Sequence, residues 1–182
     1  ALGRGDLGGA KAALTALEQD HQDDLFTGVA RARMRAAEGD VDGAITALQA
    51  LVNQRPRAGL PRAYLGSLLV ALGQTTKGMT HLKTALSSEG GDVPSAHHAV
   101  GLAMLRAGKL AEAAQHLEQA AAGMPDAAAP AFHLGEALEA LGRSADAEPR
   151  YTRCVEIEPS FAAAWAGLVR LRALSGRLEE AE

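Results

Sequence analysis

The chain has 182 residues, of which 47% are hydrophobic and 22% charged, a balance typical of a folded protein rather than a disordered one. Its formal net charge of -4 gives no general attraction to nucleic acid, which requires lysine and arginine gathered on one face. Because aromatic residues make up only 3% of the chain, the core must be built from Ala, Leu and Val. These short side chains favour closely spaced helices.

Membrane insertion and disulfide bonding find no support in the sequence. No apolar run approaches the roughly 18 to 20 residues that span a bilayer, and the one cysteine, Cys154, can form neither an internal disulfide nor a cysteine-based metal site alone. The chain starts at Ala1 without a leader pattern, which fits a processed chain and an excised segment equally well. The compartment stays open, with the cytoplasm favoured over the periplasm. The alanine-rich composition, with arginine exceeding lysine, indicates a GC-rich bacterial genome.

Glycines recur with a constant period along the chain. They are separated by 34, 34, 35, 34 and 34 residues, at Gly5, Gly39, Gly73, Gly108, Gly142 and Gly176. The five from Gly39 onward each end an apolar helical stretch, where a left-handed cap requires a residue without a β-carbon. We therefore predict that these marker glycines are turns between paired helices.

Other residue types keep the same phase relative to the marker glycines. Seven residues earlier come further glycines, whose cost of roughly 1 kcal/mol within a helix is tolerable where another helix approaches closely: Gly66, Gly101 and Gly135. Five residues later the column is Ala10, Ala44, Gly78, Ala113, Ala147 and Ala181. Nine residues later it is Leu14, Leu48, Leu82, Leu117 and Tyr151, and seventeen residues later Pro56, Gly90, Pro125 and Pro159.

The stretch after each marker follows the spacing of a helix that buries one face, as Leu110, Ala113, Ala114 and Leu117 do. This helix is the second of each pair, and prolines then end it. Asp126 and Ser160 are predicted N-caps of the helices that open the following pairs, which we call first helices. Pro149 lies about one turn inside a second helix, so that helix is expected either to kink or to begin later.

These columns resemble those of the tetratricopeptide repeat family over essentially the whole chain. The last repeat, with Trp165, Leu168, Gly176 and Ala181, is similar to the tryptophan-first form of the pattern, although Val169 stands where its first glycine is expected. The resemblance implies an all-α, right-handed superhelical solenoid of antiparallel helix pairs.

Counting in phase predicts a single array over 1–182. It comprises a partial repeat at 1–24, whose one helix runs around Leu7 to Gln19, four repeats at 25–58, 59–93, 94–127 and 128–161, and a partial repeat at 162–182. One extra residue and two adjacent glycines between Ser88 and Pro94 predict a looser connection there. Because both ends fall within a repeat, a longer parent array is expected.

The resemblance also implies that first helices line a concave groove and identifies which of their positions face it. In this sequence those positions are Phe26, Val29, Arg33, Leu60, Ala63, Tyr64, Ser67, Val70, His98, Leu102, Leu105, Phe132, His133, Glu136, Glu139 and Arg170. They include two of the three phenylalanines, either as binding anchors or as packing against the next repeat.

The predicted groove lacks the Lys, Asn and Arg set with which one variety of the family grips a C-terminal carboxylate. Val29, Ala63 and His98 occupy the fifth position of their repeats instead. We therefore predict a protein partner that presents an apolar or amphipathic segment with two or three hydrophobic anchors. Arg33, flanked by Arg31 and Arg35, lies either on a solvated face or opposite an acidic stretch of that partner.

Histidines raise a metal hypothesis, because His98 and His133 fall in the groove near Glu136. Packed helices lie about 8 to 10 Å apart whereas zinc requires ligands at about 2 Å, so two histidines from neighbouring repeats would need a third close ligand. We therefore predict no metal site. His97 is predicted to be a core residue, and the remaining histidines to be helix-surface residues: His21, His81 and His116. We predict no catalytic residue and no cofactor, because no phosphate loop or His-Glu-x-x-His motif occurs and Cys154 falls in a buried column.

The sequence therefore predicts a scaffold or adaptor that binds other proteins. Two alternatives remain open: a structural array that assembles head to tail through its ends, and a substrate-recruiting or regulatory arm of a larger enzyme. Light scattering against concentration separates the first alternative from the adaptor, and the flanking sequence would test the second.

Overall fold

A computed structural model describes residues 7–20, 24–88, 93–174 and 176. Within these ranges every regular element is an α-helix, and no strand occurs in them. In chain order the helices are α1 (Leu7–Asp20), α2 (Leu25–Ala37), α3 (Val41–Gln54), α4 (Gly59–Ala71), α5 (Thr75–Leu86), α6 (Pro94–Arg106), α7 (Leu110–Gly123), α8 (Ala128–Ala140), α9 (Ser144–Ile157) and α10 (Ala162–Leu174). None of these helices is both long and apolar enough to cross a membrane.

The marker glycines form the turns within the helix pairs, as predicted. Their φ angles are positive, at 95° for Gly39, 81° for Gly73, 72° for Gly108, 74° for Gly142 and 74° for Gly176. After α4 the N–H of Gly73 bonds to the carbonyl of Val70 at 3.0 Å and that of Gln74 to the carbonyl of Leu69 at 2.9 Å. Only glycine adopts this left-handed conformation at little cost, and the bonds satisfy carbonyls left open at the helix end. Gly5 lies outside the described residues.

The chain divides into two compact units, 1–96 and 97–182, here called unit 1 and unit 2. We refer to α2, α4, α6, α8 and α10 as first helices and to α3, α5, α7 and α9 as second helices. In unit 1, Val29, Leu48 and Leu65 form part of a buried cluster contributed by α2, α3 and α4. In unit 2, Leu134 and Tyr151 belong to a larger cluster contributed by α7 to α10.

The glycines within the first helices mark close contacts with second helices, which confirms the prediction for their column. A β-carbon on Gly66 would lie 2.7 Å from Cγ of Leu82 and 2.8 Å from the carbonyl oxygen of Gly78, and one on Gly101 would lie 2.6 Å from Cγ of Leu117. A β-carbon on Gly78 would lie 2.7 Å from the carbonyl oxygen of Gly66. The α4 and α5 backbones therefore touch at two glycines, which explains why Gly78 replaces alanine in its column.

Two helix starts differ from their predictions, those of α8 and α9. The N-cap of α8 is Ala127, which makes no side-chain capping bond, so the prediction of Asp126 is wrong. Side-chain caps occur instead at Asp24, which accepts from the N–H groups of Phe26 and Thr27, and at Asp40. The later start proposed for α9 is also wrong, because this helix begins at Ser144 and continues through Pro149.

The looser connection predicted between Ser88 and Pro94 falls on residues 89–92, which lie outside the described residues.

Candidate functional site

All of the predicted groove residues lie on first helices, but they differ in exposure. Val29, Ala63 and Val70 are buried, with 2%, 0% and 7% of their surface exposed. These three side chains therefore contribute to packing and offer no free surface. Ser67 is half-buried, and its hydroxyl donates a 2.7 Å hydrogen bond to the carbonyl of Ala63 one turn earlier.

In unit 1 the remaining predicted residues form a surface across α2 and α4. Phe26 is 70% exposed, the largest fraction among the phenylalanines and tyrosines of the described ranges, while Leu60 and Tyr64 are half-buried against the core. The guanidinium of Arg33 lies 4.7 Å from the ring centroid of Tyr64, a cation–π contact between the two helices. We call Phe26, Arg33, Leu60, Tyr64 and Ser67 the unit 1 surface.

In unit 2 the imidazoles of His98 on α6 and His133 on α8 are in direct contact. Nε2 of His98 lies 2.9 Å from Nδ1 of His133, and the ring centroids are 5.0 Å apart. Both side chains are long enough to meet across the spacing between α6 and α8. Burial lowers the pKa of each histidine to about 4, and the charge of His98 adds to the effect on His133. Both rings are therefore neutral at pH 7.

The other described histidines, His81, His97 and His116, are all half-buried, so His97 is less buried than predicted and the other two are more buried. Nδ1 of His97 lies 2.9 Å from Nδ1 of His116, so His116 pairs with α6 and is not an ordinary surface residue. Burial, with a smaller contribution from Arg62, lowers the pKa of His81, and His21 lies outside the described residues. In the ranges that the structure describes, no group of three or more His, Cys, Asp or Glu side chains could hold a metal ion.

Glu139 on α8 joins three helices. Its carboxylate accepts bonds of 2.6 and 2.7 Å from Nε and Nη2 of Arg170 on α10, and a 2.8 Å bond from the hydroxyl of Tyr151 on α9. The bond from Arg170, followed by that from Tyr151, lowers the pKa of Glu139 against the opposing effect of burial. Sequence reasoning assigned no site role to Tyr151. The sequence did carry a signal for this role, because Tyr151 stands where other repeats have leucine, and a buried tyrosine hydroxyl requires a hydrogen-bond partner.

Phe132 lies between the core and the surface of unit 2. Its ring centroid is 4.8 Å from that of Phe161, 5.8 Å from that of Tyr151 and 5.3 Å from that of His133. Leu102 and Leu105 follow His98 on the same face of α6 and are half-buried, as is Glu136 on α8. We call this set the unit 2 surface: His98, Leu102, Leu105, Phe132, His133 and Glu136.

The thiol of Cys154 lies in the core of unit 2, with 0% of the residue exposed. Burial, followed by the charge of Glu158, raises its pKa to about 11. A thiol that stays protonated at neutral pH is unreactive, as predicted for this column.

Comparison with known families identifies the class of protein to which these helix pairs belong. One sequence profile of the tetratricopeptide repeat matches residues 64–131, 98–159 and 132–182, and a second matches 28–58. The chain belongs to the tetratricopeptide repeat family. The predicted all-α solenoid class of antiparallel helix pairs is thereby confirmed.

Individual relatives are more distant. The chain is 25% identical, over 130 residues, to the tetratricopeptide repeat-containing protein trd-1 of Caenorhabditis elegans, covering 71% of this chain and 16% of that protein's length. A crystal structure of MamA matches with a TM-score of 0.67 and 22% identity over 82% of this chain and 87% of that one. MamA from Desulfovibrio magneticus RS-1 matches with a TM-score of 0.66 and 17% identity over 82% and 84% of the two chains.

The MamA structures are similar to this chain in fold alone, because their sequence identities are low. Family membership gives the coarse function. The chain consists of repeats that serve in general as protein-interaction scaffolds.

Proposed function

We propose that this chain acts as an adaptor that binds an apolar or amphipathic segment of another protein on the surfaces of its first helices. The observation that carries the proposal is contact between predicted groove residues of adjacent first helices. Arg33 contacts Tyr64 in unit 1, and His98 contacts His133 in unit 2. These contacts bring side chains of adjacent first helices together within each unit.

The exposed groups of these surfaces favour an apolar partner over an anionic C-terminus. Phe26 leaves 70% of its surface exposed, and Leu102 is half-buried. At the fifth position of the first helices stand Val29 and Ala63, which are buried, and His98, which is neutral at pH 7. None of these three positions supplies a cation for a carboxylate, whereas exposed aromatic and leucine side chains are typical anchors for amphipathic segments. We assign no catalytic residue, cofactor or metal to this function.

Peptide selection tests the proposal while the partner is unidentified. A random twelve-residue peptide library displayed on phage is panned against the 182-residue chain, and selected peptides are measured by fluorescence anisotropy. We expect amphipathic peptides, with affinities that fall roughly tenfold in Phe26→Ala or Leu102→Ala, as loss of an apolar anchor typically costs more than 1 kcal/mol.

Matched controls are Leu72→Ala and Leu141→Ala, which remove exposed leucines in the turns after α4 and α8, with 47% and 37% exposure. They should leave the affinities unchanged. The proposal is wrong if peptides with charged C-terminal tails bind tightly and amphipathic ones do not, or if the surface variants and the control variants behave alike.

Self-association is a second candidate, favoured by exposed apolar residues on α10. Trp165 and Val169 lie one turn apart and are 42% and 44% exposed. A second copy of the chain that covers this face would form a head-to-tail contact. Light scattering distinguishes the candidates, because an apparent mass that rises with concentration and is reduced in Val169→Asp favours assembly, whereas a constant monomer mass favours the adaptor.

A further inference from the structure

Glu136 is the one carboxylate of the unit 2 surface as we define it, and the other five residues of that set carry no charge at pH 7. It is half-buried on α8, one turn after Phe132 and His133. Leu102 and Leu105 are apolar, and the half-buried pair of His98 and His133 is neutral at pH 7. The unit 2 surface therefore combines apolar contacts with a single anionic group.

Glu136 also lacks a partner within the part of the chain that the structure describes. No hydrogen bond or ion pair to its carboxylate forms there, whereas three residues later Glu139 receives bonds from Arg170 and Tyr151. Burial, followed by repulsion from Glu139, raises the pKa of Glu136, while Arg170 opposes these effects. Because Arg170 already forms a bidentate pair with Glu139, the group of three charges keeps a net negative charge.

We propose that the segment bound on the unit 2 surface carries a lysine or arginine that pairs with Glu136. The inference rests on the proposed function and specifies its partner as a segment in which a basic residue stands beside apolar anchors. Charge complementarity supports this choice of occupant. The Glu136 carboxylate is partly desolvated, and a cation brought by the guest would form a charge-assisted hydrogen bond there.

The test uses peptides selected from the phage library against the full chain. In a selected peptide, each lysine or arginine is replaced in turn by norleucine, which keeps the aliphatic stem and removes the charge. For one such position we expect affinity for the wild type to fall roughly tenfold, in the range of hydrogen bonds to charged groups. The same norleucine replacement in the peptide should change the affinity for Glu136→Gln very little. The peptide change and the protein change would then be coupled in a double-mutant cycle.

Glu118→Gln is the matched control, because Glu118 is an exposed carboxylate on the second helix α7. This variant should retain the full tenfold effect, and circular dichroism should show that both variants are folded.

The outcomes separate the two proposals. If peptides bind in a manner that depends on Leu102 but every norleucine replacement is neutral, or if Glu136→Gln retains the full charge effect, the pairing with Glu136 is wrong and the adaptor function stands. If no peptide depends on Leu102, the proposed function fails for unit 2 and the pairing fails with it.

Discussion

Tyr151 shows how single residues set the packing of unit 2. The equivalent column position holds leucine in other repeats, as at Leu82 and Leu117, and the larger ring here is enclosed by glycines of two first helices. A β-carbon on Gly135 would lie 2.7 Å from Cε1 of Tyr151, and one on Gly167 would lie 2.8 Å from Cε2. Both glycines provide the space that the ring occupies, and the hydroxyl reaches past them to Glu139.

We expect Gly135→Ala to lower the free energy of unfolding by about 1 to 3 kcal/mol, because the added methyl group overpacks a fully buried site. Urea denaturation measures this loss. The control is Gly123→Ala at the exposed end of α7. Because Gly123 does not have a positive φ, alanine there should leave the free energy of unfolding unchanged or raise it by about 0.4 to 1 kcal/mol. Equal effects of the two substitutions would contradict the steric role assigned to Gly135.

Among the elements, α6 is distinguished by two adjacent histidines that pair with different helices. His97 bonds to His116 on α7, the second helix of the same pair, and His98 bonds to His133 on α8, the next first helix. Successive residues of a helix point about 100° apart, which lets neighbouring side chains reach two different partners. The contact between α6 and α8 therefore includes a pair of imidazoles that burial keeps neutral at pH 7.

This pairing predicts a pH dependence of stability. The pKa values of His98 and His133 are about 4 in the folded chain and near 6.5 when unfolded, so the unfolded chain binds more protons between these values. The free energy of unfolding should therefore decrease as pH falls from about 6.5 towards about 4. Urea denaturation at a series of pH values measures the slope.

Replacing both residues, as His98→Asn with His133→Asn, should flatten this part of the profile by removing the titrating groups. His81→Asn on α5 serves as the control and should retain most of the slope. An unchanged slope in the double variant would refute the role of the pair.

At the scale of the whole molecule, repeat architecture predicts that a destabilising substitution affects mainly the helices next to it. Each helix pair of a repeat protein contacts mainly its neighbours, so stability is a sum of local terms. Gly66 supports the contact between α4 and α5 in unit 1, whereas Gly135 supports the contact between α8 and α9 in unit 2.

Native-state hydrogen exchange should therefore show that Gly66→Ala reduces amide protection chiefly in α4 and α5, and that Gly135→Ala does so chiefly in α8 and α9. Each variant serves as the control for the other. A uniform loss of protection across all described helices in both variants would show that the chain unfolds as one cooperative body instead.

The helices and their turns were predictable from the sequence because they depend on local chemistry. A left-handed turn selects glycine whatever surrounds it, so the positive φ angles at Gly39 and Gly142 follow from the spacing of glycines alone. The N-cap of α8 was wrongly predicted at Asp126 because a helix can begin without a side-chain capping bond, as α8 does after Ala127.

What only the tertiary structure decided is which first-helix residues remain accessible and which side chains meet. The resemblance to the tetratricopeptide repeat assigned Val29 and Phe26 to the same groove, yet Val29 is 2% exposed and Phe26 is 70% exposed. Periodicity names the face of a helix but not how far a neighbouring helix covers it. The contact of His98 with His133 likewise depends on the separation of two helices and on side-chain rotamers, which no single stretch of sequence specifies.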